Sequence, residues 1–234
     1  MIDRVKDILD LNNSFFSFFK KIGWVFLLNI LFLVTSIPIV TIGASATAMY
    51  TVLAKMIEER EFSFFKDYFT SFRENFLQST AMWLFMLVIT GIIYLDFGYV
   101  FQEMTGGFAY VMRIGTIVLG VLFCMIANAV FPLVAKFDMT WKEIIPTVIQ
   151  IALCHVGLSL ESVAFTLAVL GGAALILSVG WFGGLFIILP LAAPGLHAFM
   201  QSYLYGKMFS YYIEDEEQDP DYVMEYHMDD WEEK

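Results

Sequence analysis

The chain has 234 residues, 59% of them hydrophobic and only 16% charged, against roughly a quarter charged in soluble domains. A soluble fold of this size has nowhere to bury so much apolar surface, and the composition excludes disordered, collagen-like, disulfide-scaffold and nucleic-acid-binding proteins. The formal net charge of −11 is unevenly placed: the stretch from Glu214 to Lys234 holds eleven acids and one base, leaving a nearly neutral body.

These features predict an all-α integral membrane protein: a six-span helical bundle with short interfacial helices and a disordered acidic C-terminal tail. The first segment, residues 1–21, places Ile2, Val5, Ile8 and Leu9 at helical spacing, with charged residues elsewhere around the wheel. That pattern suits an amphipathic helix lying at the headgroups. Lys20-Lys21, an apolar run and Ala44-Ser45-Ala46 mimic a secretory signal, but the leading segment is long and carries Asp3, Asp7 and Asp10, so cleavage is not expected.

A spanning helix needs about 20 mostly apolar residues. The membrane domain, residues 22–212, offers spans at about 22–37, 39–57, 79–98, 111–135, 159–179 and 182–206. The first two are separated only by Pro38, which disfavours helical geometry before it and lacks a backbone donor. Either residues 22–43 are one kinked span, or Pro38 marks the turn of a helical hairpin with legs 22–37 and 39–57. The distribution of cations decides for the hairpin. With six crossings, Arg113 alone lies outside and the other twelve Lys and Arg residues share the cytoplasmic side. With five crossings the split is five to eight. Both termini are then cytoplasmic, with residues 213–234 as the acidic tail.

Between spans, Phe65, Tyr68, Phe69, Phe72 and Phe76 form an aromatic stripe, and Thr140-Trp141-Lys142-Glu143 reads as a capping box opening an interfacial helix. Trp24, Trp83, Trp141 and Trp181 fall near expected interfaces. Cys124 and Cys154 read as free thiols in apolar surroundings.

Pro38-Ile39-Val40-Thr41-Ile42-Gly43-Ala44-Ser45, the following Thr47-Ala48-Met49-Tyr50, and Ser71-Phe72-Arg73-Glu74-Asn75-Phe76-Leu77-Gln78-Ser79 together resemble the YesL-like family of small bacterial multi-span membrane proteins, a domain of unknown function. Pro194-Gly195-Leu196-His197-Ala198-Phe199 is similar to that family's last span. Cys154-His155-Val156-Gly157-Leu158 departs from the Arg-Asn-Pro-like turn that the family often has before its fifth span. The resemblance implies a plasma-membrane, multi-pass location and genomic company with carbohydrate ABC importers. It implies no activity and no catalytic residues.

Candidate sites follow from the physics of the bilayer. Pro38, Thr41, Gly43 and Ser45 mark a helix break of the kind that lines transporter cavities, or else a hairpin turn. Phe72, Arg73, Asn75 and Phe76 form a candidate interfacial motif. Asp96, Arg113, Glu161 and His197 are the ionisable residues expected within or at the rim of the membrane, with Asp96 and Arg113 placed to pair at the outer rim. No catalytic, cofactor or metal motif is present in the sequence. The expected function is a non-enzymatic accessory or interaction partner in the membrane, of which a carbohydrate ABC importer is one candidate. The alternative is an autonomous small-solute transporter or channel using the Pro38–Gly43 break. The expected partners are the lipid bilayer, a membrane protein such as that importer, or further copies of the chain, and no nucleic acid or cofactor.

Overall fold

A computed structural model describes the backbone of residues 21–179 and 185–218, and among these the side chains of all but 176, 177, 179, 185–191 and 210–218. The N-terminal segment to residue 20, Trp181 and the tail beyond Gln218 lie outside the described residues. All regular structure in the described chain is helical: α1 (Lys21–Thr35), a 3₁₀ turn (Ile39–Thr41), α2 (Ile42–Ile57), α3 (Phe64–Glu74), α4 (Phe76–Gln102), α5 (Gly107–Lys136), α6 (Trp141–Cys154), α7 (Val156–Val179) and α8 (Leu185–Gln218).

Four described helical stretches are long and apolar enough to cross a membrane: Ile39–Ile57, Phe76–Gln102, Gly107–Lys136 and Val156–Leu175. The chain is a multi-pass membrane protein. α1 is apolar but shorter. α8 extends beyond the expected 182–206, running unbroken through Pro190 and Pro194 to Gln218, so the acidic segment begins as helix.

α1 and α2 form an antiparallel hairpin with Pro38 in its turn. At the open end, Lys21 of α1 pairs with Glu59 just past α2 at 3.3 Å. At the closed end, the Thr41 hydroxyl reaches back to the Thr35 carbonyl at 2.6 Å. α2 is the inner helix: 61% of its apolar window is buried, against 11% in α4. Its run Gly43-Ala44-Ser45-Ala46-Thr47-Ala48 is buried throughout. Small side chains let helix backbones approach closely, which is how helices gain packing energy where lipid removes the hydrophobic difference. Gly43 takes this furthest. A Cβ there would run into the Ser79 carbonyl and lie 2.7 Å from Trp83 Cβ.

The aromatic stripe of α3 divides. Phe64 and Tyr68 turn inward onto α2, with Leu28, Val52 and Leu53 in the same cluster, while Phe65 and Phe69 stay exposed. A second cluster joins Met82 and Met86 of α4, Ala129 and Leu133 of α5, Ile144 and Val148 of α6, and Tyr205 and Met208 of α8. The capping box at α6 is formed, with Thr140 N–H donating to the Glu143 carboxylate at 2.7 Å.

Ion pairs gather at the open end of the hairpin: Lys55–Asp67 at 3.2 Å, Arg60–Glu58, and Lys136–Glu58, which ties the foot of α5 to the foot of α2. This end carries Lys21, Lys55, Arg60 and Lys136, four of the cations that the sequence assigns to one side of the membrane.

Two glycine substitutions check the packing. Gly43→Ala is expected to cost about 1–3 kcal/mol by overpacking and to lower the melting temperature in detergent. Gly91→Ala, whose Cβ would meet nothing within 4 Å, is expected to leave it unchanged or raise it slightly.

Candidate functional site

Two polar arrangements stand out in an otherwise apolar body. The first is the break itself. Ending α1 at Thr35 releases carbonyls that a continuous helix would have paired. The Thr41 hydroxyl lies 2.6 Å from the Thr35 carbonyl and 2.7 Å from that of Pro38, which also accepts the Thr41 N–H at 2.8 Å. The Ile39 carbonyl accepts the Trp83 indole N–H from α4 at 2.9 Å. The Thr35 hydroxyl bonds the Leu31 carbonyl at 2.9 Å and meets the Tyr68 hydroxyl at 2.6 Å. Ser45 is fully buried, and its carbonyl receives the Tyr68 hydroxyl at 3.4 Å. Pro38, Thr41 and Gly43 thus belong to a turn packed on α4, and the Ser45 hydroxyl beside it is buried without a hydrogen-bond partner.

The second arrangement lies between α5, α7 and α8. Gln201 is fully buried. Its Oε1 accepts the Ser162 hydroxyl at 2.8 Å, and its Nε2 donates to the Ser162 carbonyl at 3.2 Å. The same Nε2 lies 3.3 Å from the Thr166 hydroxyl and 3.2 Å from His197 Nε2. Thr166 meets His197 Nε2 at 2.9 Å and accepts from Asn128 Nδ2 at 3.0 Å. The His197 ring stacks on Phe165, with centroids 5.9 Å apart. A separate link carries α1 to α8, where Gly195 N–H donates to Asn29 Oδ1 at 2.8 Å. A Cβ on Gly195 would sit 2.7 Å from Asn29 Cβ, so only glycine admits this contact.

Asn128 and His197 also face a cavity of about 270 Å³ between α1, α2, α4, α5 and α8. Its wall is otherwise mainly apolar, including Phe32, Met49, Trp83 and Phe131.

The remaining sequence-derived candidates are dispersed. Asp96 accepts the Thr116 hydroxyl at 2.7 Å. Arg113 instead bonds the carbonyls of Val100, in the last turn of α4, and Met104, just past its end, at 3.4 and 3.1 Å, and lies over the Phe101 and Tyr110 rings. The two groups hold separate partners rather than each other, because an arginine beside a helix C-terminus finds the unpaired carbonyls of its last turn within reach. Glu161 is exposed on α7, one residue from buried Ser162. Phe72 stacks on Tyr68 and contacts Phe76, and Asn75 joins α3 to α4 with its Nδ2 donating to the Ser71 carbonyl at 3.2 Å. Arg73 lies exposed at the end of α3.

Sequence reading singled out His197 but missed Gln201, Ser162 and Thr166. Their spacing carried the signal, since His197 and Gln201, like Ser162 and Thr166, are four apart and so share one helix face. Trp83 packs against the hairpin turn, with its indole N–H on the Ile39 carbonyl.

The fold and these sites define a multi-pass helical membrane protein whose buried polar groups bond mainly to one another. Residues 25–97, about a third of the chain, match the family described as "Protein of unknown function, DUF624". That segment holds most of α1, the hairpin turn, α2, α3 and most of α4. No curated protein matches the chain, and neither does any solved structure.

Gln201→Leu removes one member of the network and leaves several partners short of a bond. It is expected to cost about 1–2 kcal/mol, read by SDS titration of purified protein in mixed micelles. Outside the spans, burial pushes the Tyr68 phenol up to about 12, against the hydrogen bonds with Thr35 and Ser45 that lower it. The folded state therefore favours the neutral phenol. Its contribution to stability is complete below about pH 10, the ordinary tyrosine value, and is lost as pH rises toward 12. Alkaline unfolding of the Tyr68→Phe variant is expected to lose part of this pH dependence.

Proposed function

We propose that this chain is a non-enzymatic accessory subunit that acts through helix contacts within the bilayer, with both termini cytoplasmic. The observation that carries the reading is the mutual bonding of Asn128, Ser162, Thr166, His197 and Gln201 across α5, α7 and α8. Intramembrane polar residues of a solute path face water or substrate. Here the His197–Gln201–Ser162–Thr166–Asn128 network ties three helices together, which is how polar side chains act as glue. The outward face of α4, with Phe85, Val88, Ile92 and Leu95 exposed along its length, offers a partner a long apolar ridge. The resemblance to the YesL-like family suggests a carbohydrate ABC importer as that partner, and the cations at one end support the cytoplasmic placement of the termini.

The test is photocrosslinking in native membranes with a reactive residue at Phe85, Val88 or Leu95 of the full chain. The expected result is a protein adduct of discrete mass from at least one position, identifiable as a membrane-transport subunit. Adducts with lipid alone at all three positions contradict the proposal.

The cavity beside Asn128 and His197 supports a second reading, binding or passage of a small solute. On that reading Asn128→Leu abolishes a measurable flux in proteoliposomes while the protein remains folded.

A further inference from the structure

We infer that the α1–α2 hairpin is re-entrant: its apolar tip, Ile37 to Val40, enters the membrane from the cationic side, stops near the bilayer midplane against lipid acyl chains, and returns. This replaces two full crossings with a half-depth loop and leaves the one-sided distribution of cations unchanged.

The depth follows from α4 and α5. On α4 the uncharged run extends from Phe76 to Leu95, and on α5 from Ile114 to Ala135. At ~1.5 Å per residue both runs are roughly 30–33 Å long, close to the ~30 Å hydrocarbon core. The two helices thus mark the membrane's boundaries independently. The hairpin tip is pinned to α4 at Trp83, whose indole donates to the Ile39 carbonyl and whose Cβ abuts Gly43. Trp83 lies seven residues above Phe76, where α4 starts, and thirteen below Asp96, or roughly 10 and 20 Å along the helix. A few residues before Trp83, Ser79 bonds Thr47 and Gln78 bonds the Met139 carbonyl near the foot of α5. The tip therefore ends well short of the Asp96 level, while α4 continues for nineteen residues past it, roughly 28 Å.

Two further observations fit a tip in hydrocarbon and not in water. Ile37 is 77% exposed, Ile39 65% and Val40 48%, and no charged residue occurs between Lys21 and Lys55. A water-facing turn has no reason to present isoleucines and valine alone. Moreover, irregular backbone persists at membrane depth only when its polar groups are met within the protein. Here the Thr35, Pro38 and Ile39 carbonyls are met by Thr41 and Trp83, Pro38 has no N–H to satisfy, and the Ser36 hydroxyl, away from lipid, is the buried side-chain group of the turn left without a partner.

The test uses the full chain reconstituted in phospholipid vesicles, with Cys124 and Cys154 replaced by Ser and single cysteines at Ile37, Ile39 or Val40. These side chains are exposed, so protection cannot come from packing. The expected result is no reaction with a membrane-impermeant maleimide from either face. Spin labels at these sites are expected to show the high oxygen and low nickel-chelate accessibility of a label at Phe85, beside Trp83. A label at Tyr110, at the outer end of α5, is the water-side reference. Maleimide reaction from the Tyr110 side would establish a full crossing, and reaction from the opposite side a surface loop. Either overturns the proposal. Three neighbouring positions guard against one variant failing to fold.

Discussion

A helix broken at Pro38 must find partners for the backbone groups that the break releases, and the neighbouring structure is arranged around meeting that demand. In water a proline turn costs little, because solvent takes the orphaned carbonyls. In lipid each unmet group costs several kcal/mol. Thr41 supplies a hydroxyl and an N–H from within the turn, and Trp83 supplies an indole from the neighbouring helix. For Trp83 to reach Ile39, α2 must lie directly on α4, and Gly43 against the Ser79 backbone is what allows that approach. Once α2 is fixed there, α3 folds back along it, with Tyr68 reaching both Thr35 and Ser45. The segment that matches the uncharacterised family, residues 25–97, contains every residue of this arrangement.

The far side of the bundle is held by different means. α7 and α8 carry matched polar pairs one turn apart, and these meet across the helix interface with Asn128 of α5 closing the set. Asn29 and Gly195 then join α1 to α8. The hairpin is thereby bonded to α4 on one side and α8 on the other, which accounts for the burial of α2 and the exposure of α4. The cavity by His197 lies where these two systems meet.

Much of this was legible in the residues. The apolar runs gave the long helices, Pro38 gave the break, and the one-sided cations gave a hairpin over a kink. Thr140 and Glu143 gave a helix start that the structure forms. What sequence could not supply was partnership between distant segments. Asp96 and Arg113 looked complementary, yet local alternatives took each: a threonine hydroxyl for one and the carbonyls ending α4 for the other. Tryptophan favours headgroups, but the partner that the Trp83 N–H takes, the Ile39 carbonyl in the hairpin turn, could not be read from the sequence. Nor does apolar length reveal depth. Ile39–Ile57 is long enough to cross, and only its contact with Trp83 shows where on α4 it ends.

Closure of the Pro38 turn depends most directly on Thr41. The decisive measurement is the unfolding free energy of Thr41→Val in bicelles, compared with Thr41→Ser. Valine keeps the shape but removes the hydroxyl from the Thr35 and Pro38 carbonyls, for an expected loss of about 1–3 kcal/mol. Serine retains the hydroxyl and is expected to recover most of that stability. A valine variant as stable as the parent would show that the break is satisfied by other means, and would contradict the central claim.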